Sequence, residues 1–400
     1  MNELINKDNV RKLAATLAAA GPLPAPAWDR VAAAGEGLDD LSLRARTDRV
    51  AAAIVDVLQE PTNPTPGIAT AAPEAGYPTA ARIFREALTR SGDDSGPSAP
   101  GSTEPELTGW VIWPVSEAAV TLALESGRTE DFDDCMALLA ELTHRLTCEF
   151  AIRRLLAARP DRALSLILDW TKSPDEHVRR LASEGTRPYL PWAIRVPAFT
   201  GSSHTGPPPT LPLLDELYRD PSEYVRRSVA NHLNDLARHA PDAVVEAAGR
   251  WLSAPGGPDA STIRLVRHGL RTLIKKVHPG ALALMGFTPA SVVLSGPRLE
   301  RAQLSMPDEL RFDVEITNTG TVDALLAVDY VVHYLKANGS HSGKVFKLAS
   351  LSLGPGETRR LSKGHAFRQM TTRVHHPGTH VLELQVNGQR HGRAEFTLLG

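Results

Sequence analysis

A thirteen-residue phrase occurs twice in this chain, 47 residues apart. One copy is Ser173-Pro-Asp-Glu-His-Val-Arg-Arg-Leu-Ala-Ser-Glu-Gly185. The other is Asp220-Pro-Ser-Glu-Tyr-Val-Arg-Arg-Ser-Val-Ala-Asn-His232. Self-similarity at this period marks stacked two-helix units of the HEAT or armadillo kind, in which each unit buries its apolar face only against a neighbour. Each copy reads as a helix start. Ser173 or Asp220 is placed to cap the first turn, Pro174 or Pro221 to occupy the first helical position, and Glu176 or Glu223 to close a capping box.

The helical period runs from Gly109 to about Lys276. It predicts helices near Pro114–Leu124, Phe132–His144, Thr147–Ala158, Asp161–Trp170, Pro174–Thr186, Pro212–Arg219, Pro221–His239, Pro241–Trp251 and Ser261–Val277, with Arg195–Pro209 as a connector. Upstream, Leu41–Leu58 has helical spacing. Glu60–Pro78 and Ser91–Glu106 are rich in Pro, Gly, Ser and Thr and read as loops. After Met285 the pattern alternates with period two over Arg311–Thr317, Ala324–Leu335, Lys344–Leu353, Thr358–Lys363 and Gly378–Val386. Turns at Asn318-Thr-Gly320, Asn338-Gly339, Gly354-Pro-Gly356 and Asn387-Gly388 separate these stretches, as in an immunoglobulin-like β-sandwich. The expected fold has two parts: an all-α HEAT-like repeat solenoid, then a C-terminal all-β immunoglobulin-like sandwich. The expected domains are 1–108, an N-terminal helical region with Pro-rich loops; 109–280, the repeat core; and 286–400, the sandwich.

Bulk composition narrows the class. Two cysteines, Cys135 and Cys148, provide no disulfide framework and suit a reducing cytoplasm. The first residues show no apolar signal segment, and no run reaches the ~18 apolar residues of a membrane span. The net charge of −2 is unevenly distributed. Residues 171–280 hold 15 Lys+Arg against 11 Asp+Glu, and residues 311–400 hold 11 against 7. Two basic segments in a chain that is acidic elsewhere point to an anionic partner.

The candidate chemistry lies on the repeated helices. In the first copy Val178, Leu181 and Ala182 form the buried stripe, while Arg180, Glu184 and Arg187 share another face. In the second, Val225, Val229 and Leu233 are inside, and Arg227, Asn231, Asn234 and Asp235 follow the opposite face. Glu149 stands one repeat earlier. Stacking would present all three carboxylates on one surface flanked by arginines. Arg264, Arg267, Arg271 and Lys275 recur on the next predicted helix at a spacing suited to phosphates. The plain alternative is ordinary i,i+4 pairing on a solvated face, Glu149 with Arg153 and Arg180 with Glu184. Trp192, directly after a segment that Pro188 and Pro191 hold extended past a helix end, either plugs the repeat junction or stands at a rim where its ring suits a cation. His375 and His376 lack the partner spacing of a metal site, so none is expected.

Glu149-Phe-Ala-Ile-Arg153, Val178 through Trp192, and Val225 through Asp235 together resemble the core of the bacterial alkylpurine DNA glycosylases built from HEAT-like repeats. The similarity is to the AlkC branch that carries an immunoglobulin-like domain. Val332–Gly339, Lys344-Val-Phe-Lys347 and Thr371-Thr-Arg373 resemble that appended domain. The match runs from about Pro114 to Gly400; Cys148 stands where the family has serine, Arg154 where it has proline, and the first hundred residues match loosely.

The resemblance implies excision of cationic N-alkylated bases, chiefly 3-methyladenine and secondly 3-methylcytosine, without flipping into a tight base pocket. It places the family's carboxylates on Glu149, Glu184 and Asp235 and its aromatic wall on Trp192. An N-alkylated purine is already a good leaving group, so the enzyme chiefly supplies negative charge beside an oxocarbenium-like sugar and a placed water. Asp235 is expected in that role, with Glu149 and Glu184 adding negative potential and Trp192 packing on sugar or base. Arg180, Arg187, Arg227, Arg267 and Arg271 are the expected phosphate contacts, and Lys336, Lys344, Lys347 and Arg373 a clamp from the sandwich. The expected enzyme is a monomer acting on double-stranded DNA with alkylated bases, without cofactor or membrane. The alternative is a non-catalytic repeat protein that binds damaged DNA or an acidic partner.

Overall fold

The computed structural model describes residues 4–60, 76–90, 107–200, 206–287, 290–368 and 374–399. Helices fill the chain up to Leu284 and strands follow from Val292. The backbone divides into two compact units. One is Met1–Ala240 with Asp259–Leu265; the other is Pro241–Pro258 with Val266–Gly400. The predicted loops at Glu60–Pro78 and Ser91–Glu106 lie mostly outside the described residues.

In the first unit the helices that matter here are Ile112–Ser126, Ile152–Ala158, Glu176–Glu184 and Glu223–Leu236. The last two carry the repeated phrase, and their apolar stripes are buried as their period requires: Val178, Leu181 and Ala182 in one, Val225, Val229 and Leu233 in the other. Their starts differ from expectation by two residues. The helices begin at Glu176 and Glu223, and the caps are Asp175, whose side chain accepts from the His177 amide at 2.7 Å, and Ser222, which makes no side-chain cap bond.

The polar groups at these starts join the copies to one another. Arg179, the first arginine of its copy, donates to the carbonyls of Ser173 (2.9 Å) and Pro174 (3.0 Å). It also forks onto Asp220 of the next copy, at 2.7 Å and 3.1 Å. Arg226 repeats the fold-back onto the Asp220 and Pro221 carbonyls. Ser222 Oγ donates to Glu176 of the copy before it. Asp220 and Ser222 thus serve as inter-repeat links, which is why neither caps its own helix.

Deeper in the same seam His232 is fully buried. Its Nδ1 lies 2.9 Å from the Ser183 carbonyl and its Nε2 2.9 Å from Thr210 Oγ1. The carbonyl can only accept, so Nδ1 carries the proton and Nε2 accepts from the threonine. Burial holds this imidazole neutral and pushes its pKa down to about 3.

The second unit contains the sandwich. Its strands are β1 (Val292–Leu299), β2 (Gln303–Leu304), β3 (Asp308–Asn318), β4 (Ala324–Leu335), β5 (His341–Leu353), β6 (Thr358–Phe367), β7 (Gly378–Val386) and β8 (Gln389–Leu398). One sheet has the order β1-β3-β6 and the other β2-β8-β7-β4-β5, with β2 and β8 parallel and the other pairs antiparallel. Leu310, Phe312, Val314 and Ile316 of β3 share a core with Leu326, Val328 and Val332 of β4 and Leu382 and Leu384 of β7.

All five predicted strands are present. The three not predicted are β1, β2 and β8. β1 breaks register between Ser295 and Arg298, where Gly296 has φ 122° and a Cβ would sit 2.9 Å from the Asp313 carbonyl. β8 is rich in polar residues along Gln389–Glu395 and β2 is two residues long, so neither carries the alternation that marks a half-buried strand. The predicted helix Ser261–Val277 is two helices, Ala260–Gly269 and Arg271–Lys275, with the break at Gly269-Leu270. The basic series Arg264 to Lys275 is therefore not one continuous stripe.

Two stability outcomes follow from the seam. Arg179→Met removes a fork onto Asp220 that is almost out of solvent. It should cost about 2–3 kcal/mol in urea unfolding of the helical unit, because the carboxylate stays buried without its counter-charge, keeping the Ser222 amide at 2.8 Å. For His232 the folded pKa lies below the unfolded one, so the unfolded chain binds more protons and stability falls as pH drops below about 6.5. Between pH 7 and pH 5 this group alone should remove about 2 kcal/mol, a component that His232→Gln should lack when the two proteins are unfolded side by side.

Candidate active site

The three predicted carboxylates converge, and arginines bind them into one chain. Glu149 sits in the turn before the Ile152–Ala158 helix. Its Oε2 accepts from Thr147 Oγ1 at 2.9 Å and from Arg180 Nη1. Arg180 Nη2 lies 3.7 Å from Glu184 Oε1. The same oxygen accepts from Arg187 Nη1 at 2.6 Å, and Arg187 Nε donates to Asp235 Oδ2 at 2.9 Å. The order is Glu149–Arg180–Glu184–Arg187–Asp235, running from the turn before Ile152–Ala158 to the Glu176–Glu184 helix and its end and on to the Glu223–Leu236 helix. Burial alone would lower the Arg187 pKa; Glu184 and Asp235 outweigh it and hold the guanidinium above its ordinary value.

This arrangement differs from expectation in three ways. The carboxylates do not stand on a solvated face: Glu149, Glu184 and Asp235 are 9%, 7% and 2% exposed. Glu149 does not pair with Arg153. Arg180 and Arg187, expected on phosphates, hold the acids instead.

The carboxylates differ in how their oxygens are used. Both oxygens of Glu184 are occupied, since Oε2 accepts from Ser228 Oγ at 2.6 Å. Among the described residues nothing donates to Oδ1 of Asp235 or to Oε1 of Glu149. Glu184 is thus a fixed joint, while Asp235 and Glu149 each keep an oxygen available to a ligand or water.

Arg153 has a different task. Its side chain is wholly buried, and it donates to the carbonyls of Gly185 (3.0 Å), Arg187 (2.8 Å) and Ile194 (2.6 Å), while Nη2 is buried without a partner. Burial first, then the neighbouring Arg195 and Arg187, pulls its pKa down to about 10, so it stays charged near neutral pH. One guanidinium therefore brackets the segment from Gly185 to Ile194 at both ends. Gly185 is required there, because a Cβ would meet Ile152 Cγ2 at 2.9 Å.

Trp192 lies inside that bracket. It is 95% exposed and adopts φ 60°, the left-handed region. That conformation costs a non-glycine residue on the order of 1 kcal/mol and persists only where its surroundings impose it. The core-plug alternative for Trp192 is thereby excluded.

The remaining predicted residues fall elsewhere. Arg227 is exposed and makes no ion pair among the described residues. Arg267 and Arg271 belong to the second compact unit, where Arg271 Nη1 donates to the His268 carbonyl at 2.6 Å. Lys336, Lys344 and Lys347 are exposed on the sandwich; Lys344 Nζ lies 5.4 Å from the centre of the Phe346 ring, and Lys347 is opposite Asp329. Arg373 lies outside the described residues.

Several partners were not read from sequence. Tyr224 places its ring 5.2 Å from the Arg180 guanidinium. Trp113 stacks on Phe150, ring centres 4.7 Å apart, and donates to buried Glu117 at 3.2 Å. This steadies the turn that carries Glu149. Glu117 also takes Arg44 at 2.9 Å, with Arg154 at 3.6 Å. Arg153 was not readable from its neighbours, because Arg154 stands among the same apolar residues Ile152, Leu155 and Leu156 and remains partly exposed.

Comparison with known proteins identifies the family of the chain. Residues 118–255 match the family described as DNA alkylation repair enzyme, and residues 293–400 match the C-terminal immunoglobulin-like domain of YhaZ. The uncharacterized protein YhaZ of Bacillus subtilis (strain 168) is 34% identical over 266 residues, 66% of this chain and 72% of its own length. The Pseudomonas fluorescens alkylpurine DNA glycosylase AlkC, solved bound to DNA containing an abasic site analog, is 32% identical with TM-score 0.75. That alignment covers 100% of this chain and 99% of AlkC. The chain belongs to the AlkC/YhaZ family of DNA alkylation repair proteins.

Proposed function

We propose that this protein is a DNA glycosylase that removes cationic N-alkylated bases, 3-methyladenine first and 3-methylcytosine second, by hydrolysis of the N-glycosidic bond. The observation that carries this reading is the convergence of Glu149, Glu184 and Asp235 in one arginine-linked chain within the helical unit. The AlkC relative, an alkylpurine DNA glycosylase bound to DNA, supports the same assignment.

The chemistry follows from charge. As the C1′–N bond lengthens, the alkylated base leaves with the bonding pair and becomes neutral, and positive charge develops on the sugar. A fixed carboxylate beside that sugar stabilises the transition state more than the ground state, the more so in a site of low effective dielectric. Asp235 suits this role, being anchored through Oδ2 with Oδ1 open. The same oxygen can orient the water that attacks C1′ and accept its proton. Glu149 adds a second negative charge with one open oxygen, while Glu184 positions Arg187 and through it Asp235. Two arginines against three carboxylates leave the chain with one net negative charge, which favours a cationic substrate over a neutral one. Trp192, held outward, offers a flat surface to sugar or base.

Asp235→Asn keeps the shape and most of the link to Arg187 but removes the charge. Single-turnover release of 3-methyladenine from methylated duplex DNA should fall by about 100-fold or more, with DNA affinity within a few-fold of the parent. Tight DNA binding by the parent protein without any base release would instead establish the non-catalytic alternative.

A further inference from the structure

Two of the arginines expected on phosphates, Arg180 and Arg187, neutralise carboxylates instead. The first unit holds another pair that neutralises nothing. The Arg195 guanidinium lies 4.9 Å from the centre of the Tyr189 ring and that of Arg238 lies 4.5 Å from it. Both arginines are exposed, and among the described residues neither meets a carboxylate. Arg195 Nη1 donates to the Pro188 carbonyl at 3.2 Å. His239 adds an edge contact to the same ring at 6.0 Å.

Two like charges gathered on one aromatic ring repel each other, and buried Arg153 beneath Arg195 adds to the positive excess. The tyrosine ring compensates part of this through cation–π attraction and sets the direction in which the guanidiniums present their remaining N–H groups. Planar donors left open in pairs suit an oxyanion with several equivalent oxygens. The place is also suitable. Arg195 is three residues from Trp192, directly after the segment that Arg153 brackets, and Arg238 is three residues beyond Asp235. Chain geometry keeps each arginine within about 10 Å of the residue it follows.

We propose that Arg195 and Arg238, assembled on Tyr189, form a clamp for a phosphodiester of the strand that carries the damaged nucleotide. The anion site is read from the arginines themselves; its assignment to a DNA phosphate rests on the function proposed above. The clamp binds the backbone and leaves the excision chemistry to the carboxylates.

The test is equilibrium binding of a fluorescein-labelled undamaged 25-base-pair duplex across a series of salt concentrations, followed by anisotropy. The full-length protein is compared with Arg195→Gln/Arg238→Gln, and with Arg49→Gln/Arg82→Gln, which removes the same charge from two exposed arginines elsewhere in the first unit. Each phosphate neutralised contributes about 0.9 to the slope of log K against log salt. The clamp variant should bind roughly tenfold more weakly near 0.1 M salt, with the slope shallower by about 1 or more. The control variant should stay near the parent. At saturating enzyme the clamp variant should release base at the parent rate. Equal losses in both variants, or an unchanged slope in the clamp variant, would overturn the clamp. A parent that binds DNA with the expected slopes but releases no base would overturn the proposed activity and leave the clamp standing.

Discussion

Everything proposed for this molecule depends on one ionic chain. Glu149 comes from a turn and Glu184 and Asp235 from two different helices, and Arg180 and Arg187 fix their order. Acids brought this close and this far from water would repel one another or take up protons. The interleaved guanidiniums remove that penalty and leave one negative charge in excess. The same bonds decide which oxygens remain open, and so which carboxylate can face a developing cation.

The repeat supplies the frame for that chain. Copies of a two-helix unit normally join through apolar stripes alone, and those are present here in Val178, Leu181, Val225 and Val229. A second, polar seam runs beside them: Arg179 on Asp220, Ser222 on Glu176, Ser228 on Glu184, and His232 on the Ser183 carbonyl. Directional bonds set the offset between neighbouring helices more narrowly than apolar contact does. An offset set in that way is what Asp235 needs if its oxygen is to lie beside the arginine that leaves Glu184.

Much of this was legible in the residues. The repeat, the helix-to-strand transition and five strands followed from periodicity; Glu184 followed from its place in the repeated phrase, Asp235 from the helix that the second copy begins, and Glu149 from its place one repeat earlier, with the family resemblance pointing to all three. What was not legible had physical causes. Helix starts were displaced because Asp220 and Ser222 satisfy partners 41 and 46 residues away, distances that local capping rules do not consider. The Ser261–Val277 segment splits at the single residue Leu270, whose apolar side chain fits the helical period.

The arginines were the weakest part of the sequence reading, and the reason is general. Spacing identifies a face but not what a long side chain does once it is there. Arg180, Arg187 and Arg153 were taken as surface groups; in the structure they hold carboxylates and backbone carbonyls, and Trp192 keeps its strained outward pose inside the segment that Arg153 brackets. The most direct measurement of the central claim is a double-mutant cycle on single-turnover 3-methyladenine release, using Glu184→Gln, Asp235→Asn and the combined variant. If Glu184 acts by holding Arg187 against Asp235, the second substitution should cost little once the first is made, a coupling of at least about tenfold, or ~1.4 kcal/mol. Losses that simply multiply would show that the carboxylates act independently and that the ionic chain is not the catalytic unit.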